Sequence, residues 1–423
     1  MRRSGFKMRF IPLCIAALAL TACSSDDTEA VNLTEETSDS ETTGDDSSGI
    51  NLDSYILAVA PDDGVFLIDH EGDTLFEWDM DGDNLGNDAK LYSDGSLVTT
   101  IKVNNPSIDF GGYGGQFRKI NADQTIEWEV SYSSSSYIAH HDVNYLSNGN
   151  IIFPVWEEVS SSEAADMGFS GNFDIYPDAI IEMNPLTQEV VWEWHTTDHI
   201  VQDYDSSKAN YGVVADNPNK IDINYNNDQT DGDITHFNGI TLDETNDLIY
   251  VTVNFYSEVW VIDHSTTSQE AATSVGGNYG LGGDLVYRFG NPLAYDNVGE
   301  VTLNRVHYPN LFDGNKMLVF ANNKYNGQSA VVEYELNPPY LLVAGQDNEP
   351  SVTWEFTDSD LYSNGLGSGV RMSNGNTLIS EGTGTLWEVS ASGEVLWQNN
   401  DYNRPWRAYN FPVDDPAIKA LGL

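Results

Sequence analysis

Three of the eight histidines fall at comparable places in a repeating pattern. His141 lies eight residues before Gly149, His307 seven before Gly314, and His236 ten before the Asn246-Asp247 pair. Each precedes a turn of the kind that supplies the positive φ angles of tight hairpins. A neutral imidazole is a nucleophile that can take up and release a transferable group. A second imidazole can give or take a proton near neutral pH. Three imidazoles beside an aspartate could instead hold zinc or another transition metal, and residue types alone leave that alternative open. The other histidines read plainly. His70 and His264 follow Ile-Asp in hairpin turns and are expected to be exposed, and His195 and His199 follow Trp194 in an expected loop.

Several other chemistries find no support. The run Gly276–Gly283 lacks the Lys-Ser/Thr ending of a phosphate loop. The string Gly365-Leu366-Gly367-Ser368-Gly369 has Gly367 where a nucleophile elbow needs serine. The only cysteines are Cys14 and Cys23, which excludes a disulfide scaffold and a cysteine-based zinc site. The strings Asp79–Asn84 and Asp228–Asp233 are oxygen-rich, as calcium loops are, but no Glu stands at the closing position of such a loop. Structural calcium is one reading of them, and solvated surface acid is the other.

The elements that must position the histidines form a repeat. One half is a hairpin ending in an aromatic residue: Val65 to Trp78, Phe117 to Trp128, Ile180 to Trp192, Val259 to Phe289, Val331 to Trp354, and Leu386 to Trp397. The other half is a turn flanked by apolar residues, at Ser93-Asp94-Gly95, Ser147–Asn150, Asn246-Asp247, Asp313–Asn315 and Ser373–Asn376. Short alternating runs between turn residues are strands. A sheet of about four strands cannot bury both faces alone, so such units stack in a ring. The expectation is an all-β, six-bladed β-propeller over residues 54–423, with seven blades the alternative because the third and fourth units are long. The aromatic residues that end the hairpins then pack between blades. The strand leading into each turn is innermost, so His141, His236 and His307 would all face the central channel. Asn87 and Gly367 stand at the matching positions of two other units. The fold itself therefore does not require histidine there.

Composition bounds the partners. The chain has 423 residues and a formal net charge of −48, so no basic surface exists for phosphate recognition, and nucleic-acid binding is excluded. Residues 1–22 read as an export signal: Arg2, Arg3, Lys7 and Arg9, then an apolar run from Phe10 to Leu20 that is too short to span a bilayer. Leu20-Thr21-Ala22-Cys23 resembles a bacterial lipobox, which makes Cys23 the expected lipidated residue. Residues 23–53 are Ser, Thr, Asp and Glu, the composition of a solvated tether. The expectation is a protein exported to the periplasmic face of the outer membrane or to the cell surface, and held there by lipid alone.

The motifs resemble those of the bacterial arylsulfotransferases. The resemblance rests on His140-His141-Asp142 with Leu146–Asn150, on Asp233–Asn238, and on Val306-His307-Tyr308 with Asp313–Asn315. It rests also on Trp192-Glu193-Trp194, Phe320-Ala321-Asn322 and Trp406–Tyr409, and spans about residues 60 to 410. It implies a periplasmic six-bladed propeller that moves a sulfuryl group from a phenolic sulfate ester to another phenol, without a nucleotide cofactor. By resemblance His307 matches the nucleophile that forms a sulfohistidine. His236 and Asn238 match a Thr-His-x-Asn motif, and His141 matches the first channel histidine, with His140 the other choice. Asn322 and Arg407 fall among the matched motifs as substrate-binding candidates. The family carries an Arg on the strand after the Thr-His-x-Asn motif, and Asn254 stands there instead. An Arg fork grips sulfate oxygens as Asn cannot, and its loss costs on the order of 2–4 kcal/mol by analogy with an oxyanion-hole donor. Arg305, Arg288, Arg407 and Lys324 are the cations that could compensate.

Overall fold

The computed structural model describes residues 49–423. The expected signal, the lipidation site at Cys23 and nearly all of the tether lie outside the described residues.

Six antiparallel sheets of four strands stand in a ring, each made of an inner hairpin and an outer hairpin. The outer hairpins are the ones ending in aromatic residues, and the inner ones carry the Gly/Asn/Asp turns. The fifth blade shows the plan: inner strand Val306–Phe312, then Lys316–Ala321, Ala330–Glu335 and the outer Ser351–Phe356. The first blade closes the ring. Its inner strand is the late segment Arg407–Pro412, which pairs antiparallel with Ser54–Ala60, Ser54 opposite Pro412. In the third blade the inner edge is broken into Tyr137–Ala139 and Asn144–Tyr145.

Seven blades are ruled out by the third-to-fourth connection. Its extra length forms no sheet of blade size. It holds a 3-10 turn, Thr196–His199, and a short parallel pair, Ile200–Val201 with Ile221–Asp222.

The aromatic hairpin ends lie between blades. Trp78, Trp128 and Trp192 are buried, whereas Trp354 and Trp397 are half-buried. Trp192 Nε1 donates to Thr266 in the next blade, Trp354 Nε1 to the carbonyl of Ala391, and Trp397 Nε1 to the carbonyl of His70. These three rings thus contribute apolar burial and one directed bond each across a blade boundary, whereas Trp78 contributes burial alone. Truncating a buried Trp to Ala costs about 3–5 kcal/mol.

His70 and His264 are not exposed surface residues. His70 Nε2 meets Glu388 at 2.8 Å, across the junction between the last blade and the first. His264 Nε2 meets Glu182 at 2.9 Å, between the third and fourth blades. Both carboxylates also accept from asparagines of their own blade's inner turn, Asn376 in one case and Asn148 and Asn150 in the other. His199 is buried and bonded to Asp284 at 2.9 Å, so it ties the long connection to the fourth blade.

Candidate active site

The six inner strands begin at one end of the channel. Asn87, His140-His141, His236 to Asn238, His307, Ser368 and Arg407 all lie at those starts. Register places the histidines unequally. Phe237 pairs with Val253, and Val306 pairs with Ala321, each the last residue of its neighbouring strand. Asn238 is therefore the counterpart of His307, and His236 is the counterpart of Arg305. The expectation that the three histidines share one repeat position fails by two residues at His236.

His307 is buried. Its Nδ1 lies 2.6 Å from Oδ1 of Asn322. The Asn322 amide nitrogen donates to the carbonyls of Ser363 and Leu366 at 2.9 and 2.7 Å, which fixes its oxygen toward the ring. That network assigns the hydrogen to Nδ1 and leaves the Nε2 lone pair free. Nε2 has no hydrogen-bond partner within the protein. Burial, and next the charge of Arg407, hold the imidazole neutral, with a pKa lowered to about 3.

Arg407 is also buried. Its Nη1 donates to the carbonyls of Gly367 and Trp406, both at 3.0 Å, and its Nη2 to the carbonyl of Asn238 at 2.6 Å. Its Nε is unpartnered within the protein.

The other histidines form the opposite wall. The ring of His141 meets that of His236 edge-on at 4.8 Å, and His140 stacks on Trp156 at 3.7 Å. His140 Nδ1 and His141 Nδ1 are 2.9 Å apart. His140 Nε2 is at ion-pair distance, 2.7 Å, from Asp178, though poorly angled for a hydrogen bond. Asp178 favours a hydrogen on that nitrogen, so His140 Nδ1 accepts from His141, and Nε2 of His141 keeps its lone pair. Burial drives His141 well below the ordinary histidine range, and His236, His140, His307 and Arg407 add to the effect. His236 behaves oppositely. Burial lowers it, but the charge and hydrogen bond of Asp233 outweigh burial, and its pKa is raised. At one end of the channel stand a neutral imidazole, His307, and one that holds its proton, His236.

Asn238 and Asn254 serve the walls. Asn238 donates to the carbonyl of Val306 at 2.7 Å and accepts from Thr252 at 2.7 Å. Asn254 donates to the same carbonyl at 3.1 Å. Its Oδ1 lies 3.4 Å from Nη1 of Arg305. The Arg305 guanidinium sits 4.5 Å over Phe255, and Phe255 stacks on His236 at 4.9 Å. So Arg305, from the next blade, reaches the place where the family pattern has its own Arg. Of the other compensating candidates, Arg288 is consumed by Glu258 in a fully buried pair, and Lys324 is paired with Glu355 at 2.5 Å.

The charge pattern is informative. Arg305 and Arg407 have no carboxylate within ion-pair distance among the described residues. Lys102 ends a strand on the same side, lies over the rings of Tyr113 and Trp406 at 5.5 and 5.7 Å, and is likewise unpaired. In a chain of net charge −48, three cations with no carboxylate at ion-pair distance stand at this end of the channel. No group of three His, Cys, Asp or Glu side chains among the described residues converges as a metal cage requires. Within the two acidic strings, Asp83 pairs with Arg118 and Asp233 with His236.

Sequence reasoning missed Asn87 and Ser368. Both are buried at inner-strand starts, and neither the Asn87 amide nor the Ser368 hydroxyl has a partner within the protein. Their place in the repeat was the available signal. Backbone strain marks the same spot: His141, His236, Arg305 and Tyr308 have φ values of 54°, 61°, 51° and 49°. Non-glycine residues held there cost on the order of 1–3 kcal/mol each. Gly112, at φ 102°, lets its loop touch His141, where a Cβ would fall 2.0 Å from the ring.

No curated protein sequence matches the chain. Among solved structures, a protein of unknown function from Bacteroides caccae aligns at TM-score 0.48 and 13% identity, covering 85% of this chain and 98% of that one. A putative 6-phosphogluconolactonase from Bacteroides fragilis aligns at TM-score 0.43 and 10% identity, covering 85% and 98%. Neither bears on function. The sequence model of the arylsulfotransferase (ASST) family matches residues 52–404. That is most of the chain, and the protein belongs to the arylsulfotransferase family.

Proposed function

We propose that this propeller transfers a sulfuryl group from a phenolic sulfate ester to a phenol through His307. Family membership supports a sulfotransferase-type activity in general. The observation that carries the specific reading is the Nε2 of His307: buried, deprotonated, without a protein partner, and close to an arginine without a counter-ion.

In the first half-reaction Nε2 attacks sulfur, the N–S bond forms and the S–O bond to the aryl group breaks. His236, held protonated by Asp233, gives its proton to the leaving phenoxide. In the second half-reaction an incoming phenol attacks sulfur from the same side, returns its proton to His236 and releases His307. Arg407 and Arg305, with Asn87 and Ser368, are the fixed donors for the sulfuryl oxygens. Asn322 holds the tautomer, and Asn238 and Asn254 hold the walls. No nucleotide, metal or other cofactor enters these steps. The reading includes export and lipid attachment at Cys23, which mass analysis of the membrane-extracted protein checks directly.

The test is incubation of the domain with p-nitrophenyl sulfate and phenol. Nitrophenol release that needs the phenol and disappears in His307→Ala, with the fold intact by circular dichroism, is the expected result. Equal release in His307→Ala would overturn the assignment. No release from a series of aryl sulfates would leave a binding module for small anions as the function of this mouth.

A further inference from the structure

A cavity of about 300 Å³ lies where the inner strands end, at the opposite side of the ring from the channel histidines. The inner strands of five blades supply its walls, so it lies on the channel axis. Rings and one aliphatic side chain dominate the lining: Tyr92, Tyr145, Tyr308, Tyr409, Phe411 and Leu242. Small-molecule sites are mostly apolar and aromatic, with a few polar groups that fix orientation. The volume is at the small end of such sites. A cavity of roughly 150 Å³ takes one benzene, so a single substituted ring fits here.

The free polar groups are hydrogen-bond donors. Tyr308 is 7% exposed, and its hydroxyl makes no hydrogen bond among the described residues. The Tyr92 hydroxyl accepts from the Tyr145 amide at 2.7 Å and has no acceptor for its own hydrogen. Burial keeps both phenols protonated, with Tyr308 raised to about 12 and Tyr92 raised as well. A buried donor left unpaired is costly, and an acceptor oxygen on a ligand removes that cost.

Charge narrows the ligand further. The Lys90 ammonium is spent on Asp142 and Asn144, at 2.5 and 2.9 Å. Asp88 accepts from Tyr409, and Asp142 also accepts from the Ile240 amide. Inside the cavity, neither an anion nor a cation finds a free counter-charge. At the rim, the exposed Glu244 accepts from Ser147 and repels anions.

We infer that this far end of the channel is a second ligand site, for an uncharged single-ring aromatic molecule that presents an acceptor oxygen to Tyr308. The inference stands apart from the sulfuryl-transfer reading, which uses the opposite end.

The test is calorimetric titration with three size-matched probes: benzamide, benzoate and benzamidinium. The expected result is one-to-one binding of benzamide, with both charged probes at least about tenfold weaker. Tyr308→Phe removes only the hydroxyl and should weaken benzamide about tenfold. Leu242→Trp fills the cavity and should abolish binding. Arg305→Ala, at the other end, should leave it unchanged. A charged probe that binds as tightly as benzamide would overturn the inference, as would no binding of benzamide. Binding lost in Arg305→Ala but kept in both Tyr308→Phe and Leu242→Trp would place the probe among the histidines and overturn it too.

Discussion

At the starts of the inner strands, His307, Arg407, Asn87 and Ser368 each keep a buried polar atom without a protein partner. A few residues further along the same channel the opposite holds. Lys90 Nζ lies 2.5 Å from Asp142 and 3.5 Å from Asp88. Tyr409 donates to both oxygens of Asp88, at 2.7 and 2.9 Å, and the Ile240 amide donates to Asp142 at 2.8 Å. A buried polar group left unpaired costs about 1–3 kcal/mol. The middle of the channel spends its polar groups on one another and so ties four inner strands together. The mouth leaves them without protein partners, and its left-handed residues add strain there. On the proposed reading, function and stability are thus separated along one axis, over the length of a single strand.

The separation can be broken from the stability side first. Lys90→Met leaves two buried carboxylates without their cation, and is expected to destabilise the fold by about 3–5 kcal/mol, read by urea denaturation. Transfer activity per folded molecule should stay near wild type. A large loss of activity without loss of stability would show that the middle cluster belongs to the site.

From the mouth, Arg305→Ala should do the reverse. Loss of a charged donor is expected to lower kcat/KM by about 10²–10³-fold, with stability changed by no more than about 0.5 kcal/mol. Restoration of the family pattern with Arg in place of Asn254, in the Arg305→Ala background, should recover part of that loss. No effect of Arg305→Ala would mean that the guanidinium is a bystander.

The pH profile sharpens the contrast. His307 is lowered to about 3, so protonation of the nucleophile cannot reduce the rate until the solution is far below pH 6. His236 is raised by Asp233 and must be protonated to assist the leaving group, so the rate falls on the alkaline side. With a donor whose phenol leaves unaided, that alkaline fall should shrink. An acid limb centred near an ordinary histidine value would contradict the assignment of roles.

The smallest expected effect lies in the middle cluster. Burial first, and then Asp142, raise Asp88 to about 7. A carboxyl raised in the folded state contributes stability that is intact at low pH and lost as pH rises through about 7. Asp88→Asn lacks this titration. Its melting temperature relative to wild type should therefore climb between pH 5 and pH 8, and a constant difference would refute the raised pKa of Asp88.

Much of this was legible in the residues. The aromatic-ended hairpins and Asn-Gly turns repeat because every blade needs the same inter-blade ring and the same inner turn, so periodicity exposes them. His141, His236 and His307 stood out because each precedes an inner turn of the repeat, where two other units carry Asn87 and Gly367. What stayed hidden depends on contacts between blades. His70 reads as an exposed turn residue because its partner, Glu388, is 318 positions away. Arg305 was one cation among four until the bulge in the fifth blade's inner strand and the adjacency of Asn254 placed it. Asn87 and Ser368 are ordinary residue types, and only the absence of a partner marks them.

The central claim is that His307 carries the sulfuryl group. The direct measurement is peptide mass spectrometry of the protein quenched at alkaline pH after brief mixing with p-nitrophenyl sulfate and no acceptor. The account predicts a stoichiometric burst of nitrophenol and the mass of one sulfuryl group on the peptide containing His307, removed when phenol is added. Turnover with that peptide unmodified, or modification at another residue that phenol discharges, would contradict it.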